Sequence, residues 1–126
     1  MADVFIVKMG RLFAKYAQNF PERDKRAIKD FIDHIKTKGF SGLEGRNKQS
    51  DDVLFSDPDF VKKVEYATNN HLWHYHIGIL QYDLTKPYGD RTSEYILHYQ
   101  RLGEVVKIVD YSPHPPFQLP TENYLE

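Results

Sequence analysis

Apolar positions change their spacing along the chain, and each change predicts an element. Residues 3–8, DVFIVK, form a short β-branched and aromatic run that predicts a strand. From Arg11 the spacing turns helical, with Leu12, Phe13, Tyr16, Ala17 and Phe20 recurring three and four apart. Pro21 with Glu22 and Asp24 then marks a helix start. Ile28, Phe31, Ile32 and Ile35 make its buried stripe, and Lys36, Lys38 and Gly39 mark its end. The prediction is a strand followed by two helices or one broken helix. Residues 41–52 are polar and contain Gly, which predicts a loop. Residues 57–70 predict a short helix or turn with Phe60, Val64 and Tyr66 inward. Three strands are predicted at 71–80, 94–101 and 104–111, the last two joined by the hairpin signal Leu102-Gly103. The tail SPHPPFQLPTENYLE holds four prolines and predicts no regular element.

This order predicts an α+β fold. An N-terminal strand and helical hairpin pack on one face of a small, mainly antiparallel sheet, and the other face is left open. With no internal repeat and no boundary signal, residues 1–126 read as a single domain, of which 115–126 are a Pro-rich C-terminal tail.

Composition narrows the class. An apolar fraction of 40% and an aromatic fraction of 14% over 126 residues describe a globular chain long enough to bury a core. The absence of cysteine excludes a disulfide framework, a thiolate nucleophile and a zinc–thiolate site. The N-terminal apolar run is too short for a signal peptide and no stretch approaches spanning length, so the expectation is a soluble cytoplasmic protein. The formal charge of −1 conceals an asymmetry: residues 1–48 carry 11 Lys/Arg against 6 Asp/Glu, and residues 49–126 carry 6 against 12. A basic face for a polyanion and a pair of solvated Lys-rich helices both fit this pattern.

The candidate chemistry lies in HLWHYHIG, residues 71–78. Alternate side chains of a strand point to opposite faces. His71, Trp73, Tyr75, Ile77 and Ile79 therefore share one side, the natural core face, and His74 and His76 project from the other. Tyr95, Leu97 and Tyr99 likewise oppose Glu94, Ile96 and His98. The final strand is apolar on both sides and cannot be oriented by pattern. His114 follows just past its end. If the strands are neighbours, His74, His76 and His98 share the open face, with His114 at its edge. His34, offset from the apolar stripe and four residues from Asp30 and Lys38, reads as a solvated helix residue without a role.

Imidazoles titrate near neutrality, so a group of them can supply base, acid and cationic stabiliser to one reaction without a cofactor. RNA cleavage by its own 2′-hydroxyl needs that set. A metal triad is the rival reading of His-x-His with a third His beside it. Against it, Glu94 and Asp110 stand at no recognised ligand spacing. Incidental histidines on a strand surface are the plainest alternative.

The element order, read with FIVKMGRLFAKYAQNFPERDKRAIKDFIDHIKTKGF, LWHYHIG, EYILHYQ and VVKIVDYSPHPPF, resembles the RelE/ParE superfamily of type II toxin–antitoxin toxins. Over about residues 3–117 it is most similar to YafO-type and other histidine-using branches. The resemblance implies a ribosome-dependent mRNA endoribonuclease (an mRNA interferase) working without metal or other cofactor. His74, His76, His98 and His114 would be catalytic, with His74 or His76 the base and His114 the acid. It also implies a cognate antitoxin, with the ribosome and mRNA as further partners and no membrane or direct DNA contact. Where the family often has a third-strand Arg this chain has Ile96, so phosphate stabilisation would fall to His98, Arg91 or Arg101. Lys15, Arg23, Lys25, Arg26 and Lys29 would meet ribosomal RNA phosphates, so that these five with Arg91 and Arg101 form the expected RNA-binding set. Tyr124 stands where some members use a late tyrosine. The gyrase-directed ParE branch, a non-catalytic binding module and a histidine-cluster metal protein are the alternatives.

Overall fold

The computed structural model describes residues 5–114 and 117–126. Elements follow the chain as β1 (Ile6–Met9), α1 (Arg11–Ala17), α2 (Glu22–Lys38), β2 (Asn47–Gln49), α3 (Phe60–Asn69), β3 (Leu72–His76), β4 (Tyr95–Leu102), β5 (Val105–Pro113) and a terminal 3-10 helix (Glu122–Leu125). The fold is α+β. Among the described residues a five-stranded sheet runs β1-β5-β4-β3-β2, with β1 parallel to β5 and the remaining neighbours antiparallel.

Helix α2 starts and stops where the sequence predicts. Pro21 precedes it, Glu22 and Asp24 occupy its first turn, Lys36 and Lys38 its last, and Gly39 ends it at φ 66°. Its stripe of Ile28, Phe31 and Ile35 packs with Phe13 of α1 against Tyr75, Leu97, Tyr99, Val106 and Ile108. Phe31 stacks on Tyr75 at 4.9 Å between ring centroids. The predicted Trp/Tyr/Ile core face is therefore the face the hairpin covers. Ile77 and Ile79 stay buried in this core although β3 stops at His76. Gly78, at φ 89° with Tyr82 against it, turns the chain out of the ladder there.

Two departures matter for the site. Residues 47–49, inside the predicted loop, form the edge strand β2, antiparallel to β3. A short polar edge strand is held by backbone pairing rather than burial, so it leaves no apolar alternation to read. The second departure concerns the face expected to be open, which is covered. Ala67 of α3 packs there with Leu72 and Val109, joined by Tyr66, Leu119 and Leu125. The proline-rich tail is thus ordered over its described part. Tyr66 donates to the Pro120 carbonyl oxygen at 2.7 Å, and Lys107 donates to that of Leu125 at 2.5 Å. A bulge between His98 and Tyr99 explains why β5 resists orientation by pattern. It pairs Tyr99 with Ile108 but His98 with Asp110, so Asp110 joins Val109 on the second face and Tyr111 returns to the core face.

Residues 3–4 of the predicted first strand and Pro115 and Pro116 of the tail lie outside the described residues.

Candidate functional site: a capped histidine cluster beside a groove

Strand register assembles the histidines. His74 pairs with His98 across β3 and β4, and His76 pairs with Ile96, which faces Ser112. Paired residues project from the same face of a sheet. His114 enters from the end of β5, its N–H donating to the Glu94 carbonyl oxygen at 2.6 Å. His74 is the hub: its ring centroid lies 6.2 Å from His76, 6.5 Å from His98 and 6.4 Å from His114. His76 and His114 are 5.6 Å apart. The four predicted site histidines do converge.

They are not, however, laid out on open surface. Phe117 caps them at 4.8 Å from His74, 5.7 Å from His98 and 5.4 Å from His114. His74 is 6% exposed and His98 0%. His74 Nδ1 is 2.9 Å from Ser50 Oγ, His98 Nε2 is 3.0 Å from Ser112 Oγ, and His76 Nδ1 meets the backbone of Ser93. His98 Nδ1 is buried without a hydrogen-bond partner among the described residues. His76 and His114 line an open groove of about 1030 Å³, with Arg46, Ser93, Glu94 and Tyr82 around them.

Burial lowers the proton affinity of all four rings. It pushes His74 down to about 3, aided by the neighbouring His76 and His114, and His98 down to about 3, aided by His74 and His114. His76 is lowered chiefly by burial, against the raising effect of its backbone bond to Ser93. His114 is lowered by burial and then by Arg46. At neutral pH such rings are neutral, so the cluster offers lone pairs and N–H donors rather than positive charge.

The cations that could serve an anionic ligand come from the segment predicted to be a loop. The His76 N–H donates to the Arg46 carbonyl oxygen at 3.0 Å, and Lys48 pairs with His74 in the ladder. Arg46, Lys48 and Ser50 therefore follow one another at strand spacing along the histidines. Arg46 is held by Asp90, with Nε at 2.6 Å and Nη2 at 3.2 Å from its carboxylate, and Lys48 by Asp52 at 2.7 Å. Residues 46–50, RNKQS, are all polar, so no alternation marks them as a strand beside the histidines.

The expected RNA-binding set does not join the site. Lys15, Arg23, Lys25, Arg26 and Lys29 belong to α1 and α2, across the sheet from the histidines. Arg23 is paired to Asp24, Lys25 to Glu22 and Lys29 to Asp33. The two arginines expected to stabilise phosphate are engaged elsewhere. Arg91 binds Glu44 at 2.8 Å and lies over Tyr88. Arg101 is sandwiched between Phe40 and Trp73, at 4.3 and 4.9 Å from their centroids. Tyr124 packs beside Tyr16 of α1. His34 is half-buried, its Nε2 2.6 Å from the Ser41 carbonyl oxygen, which ties α2 to the following loop.

Among the described residues no three His, Asp or Glu side chains are placed to hold a metal ion. No described helix is long and apolar enough to cross a membrane. Comparison with protein-family models, with curated proteins and with solved structures finds no match to this chain.

Proposed function

We propose that this protein is a RelE/ParE-type toxin that cleaves messenger RNA on the ribosome by histidine acid–base chemistry. The observation that carries the reading is the convergence of four imidazoles on one sheet face, two of them lining a groove beside Arg46. In the reaction a neutral imidazole, His74 or His76, takes the 2′-hydroxyl proton as the oxygen bonds to phosphorus. The P–O5′ bond breaks and the leaving oxygen takes a proton from the imidazolium form of His114, the least buried of the four rings, which returns to neutral imidazole and leaves a 2′,3′-cyclic phosphate and a 5′-hydroxyl. His98, with no contact to the groove, supports His74 from behind. Arg46, a fixed cation at the groove, supplies the charge stabilisation that neutral imidazoles lack. The element order strand, two helices, short helix and closing antiparallel strands supports the same reading. A toxin of this kind has an antitoxin as its partner and acts in the cytoplasm, with the ribosome holding the message for in-line attack.

One observation favours the non-catalytic module: His74 and His98 are buried and bonded to serines, as structural histidines are. Induction in bacteria, with 5′ ends of cellular messages mapped, separates the two. The nuclease reading expects translation to stop and cuts to fall in phase with the reading frame, with both effects lost in folded His76→Ala and His114→Ala. Arrest without phased cuts, or arrest that persists in these variants, discards it.

A further inference from the structure

His76 is the one histidine of the cluster that both lines the groove and is held by main chain. Its Nδ1 lies 3.0 Å from the Ser93 backbone N–H and 2.9 Å from the Ser93 backbone carbonyl oxygen. An N–H only donates and a carbonyl oxygen only accepts. One main-chain edge therefore satisfies Nδ1 in either state: a lone pair accepts from Ser93 N–H, and a protonated Nδ1 donates to Ser93 O. That edge is itself fixed. Ser93 Oγ accepts from Gly78 N–H at 2.9 Å and donates to the Tyr95 carbonyl oxygen at 3.1 Å, bridging the exit of β3 and the entry of β4. With Nδ1 so engaged, Nε2 makes no hydrogen bond among the described residues, and the ring borders the groove.

The other three lack this combination. Serine hydroxyls rotate to suit the tautomers of His74 and His98, but both rings sit under Phe117 and away from the groove. His114 borders the groove, but neither ring nitrogen has a hydrogen-bond partner among the described residues. We infer that Ser93 is a positioning residue whose hydroxyl, bridging Gly78 and Tyr95, fixes the main-chain edge that holds His76 whichever ring nitrogen carries the proton, so that His76 exchanges a proton at Nε2 with a groove-bound substrate while its ring stays still. This rests on the acid–base reading and deepens it, assigning to His76 the base role left open between it and His74. As base, Nε2 accepts a proton and the ring becomes imidazolium, its Nδ1–H kept on Ser93 O; the Nε2 proton then leaves to solvent. The groups facing this exchange are the rings of His74 and His114, the cations Arg46 and Lys86, and the groove carboxylates Asp83 and Glu94.

Nitrogen-15 NMR of the full chain with labelled imidazoles tests this without RNA. In the parent at neutral pH, His76 Nδ1 and Nε2 are expected to resonate between the lone-pair and protonated extremes, because both tautomers are accommodated. Ser93→Ala is expected to shift both His76 resonances and the His76 titration midpoint while leaving His74 and His98 in place. Ser93→Thr, which keeps the hydroxyl, is expected to restore the parent values. A His76 locked in one tautomer in the parent overturns the inference, and this measurement needs no variant to fold. So does a Ser93→Ala chain in which His76 is unmoved or all four histidines shift alike. Absence of phased cleavage with His76 behaving as expected would remove the nuclease reading alone. A locked His76 in a protein that cleaves RNA would remove this inference alone.

Discussion

His98 combines full burial with a single hydrogen bond, and its Nδ1 has no partner among the described residues. An unpaired buried nitrogen costs about 1–3 kcal/mol, and a buried unpaired charge costs more. The second cost is why the ring, like His74, resists protonation down to about 3. In the unfolded chain both rings titrate near 6.5. Between these values the unfolded state binds more protons, so stability is fully present above about pH 6.5 and declines as pH falls toward 3. The slope is about 1.4 kcal/mol per pH unit for each ring. Urea unfolding at a series of pH values checks this. His98→Leu, which removes one of these titrations and the unpaired nitrogen, should cut the acid slope by about 1.4 kcal/mol per pH unit and leave the chain more stable than its parent at pH 5. The histidines themselves and their common face were legible in the alternation of HLWHYHIG and EYILHYQ. Their burial was not, because period two names the face and says nothing of what covers it.

At the scale of elements, β2 and the segment before it bring the site's only groove-lining arginine among the described residues, and Gly45 is what lets that segment approach. A Cβ at Gly45 would run into the His76 carbonyl oxygen and crowd the Tyr82 hydroxyl. Its N–H instead donates to Tyr75 Oη at 3.1 Å, in a cluster where Tyr75 and Tyr82 hydroxyls lie 2.8 Å apart. Gly45→Ala should cost about 1–3 kcal/mol or more, since the clash is with backbone, and should displace His76 as well. Thermal unfolding with the His76 imidazole resonances measures both. The capping of α2 needed only local chemistry and was readable residue by residue; so was the hairpin between β4 and β5, although its turn is Gly103-Glu104, one residue past the predicted Leu102-Gly103, with Leu102 pairing Val105 and Gly103 at φ 65°. Strand β2 was not, since Asn47, Lys48 and Gln49 carry no strand preference and exist as a strand only because the edge of β3 is there to pair with.

Across the whole molecule, the basic helices and the histidine cluster lie on opposite faces of the sheet, so one flat ligand cannot meet both. If α1 and α2 hold a polyanion such as ribosomal RNA, charge reversal at Lys25, Arg26 and Lys29 should weaken ribosome co-sedimentation and flatten its salt dependence. Folded His76→Ala should bind as the parent does. Unchanged binding in the charge-reversed variant would leave these residues as solvated helix surface. The N-terminal strand, the two helices, the closing strands, the core face and the identity of four clustered histidines were determined by the sequence alone, because each depends on spacing within a few residues. The tertiary structure alone decided that α3 and the tail close the second face, that Phe117 caps the cluster, that Arg46 rather than Arg91 or Arg101 stands beside it, and that a bulge aims Asp110 and Tyr111. Those outcomes depend on contacts between segments far apart in the chain, whose partners no local period encodes.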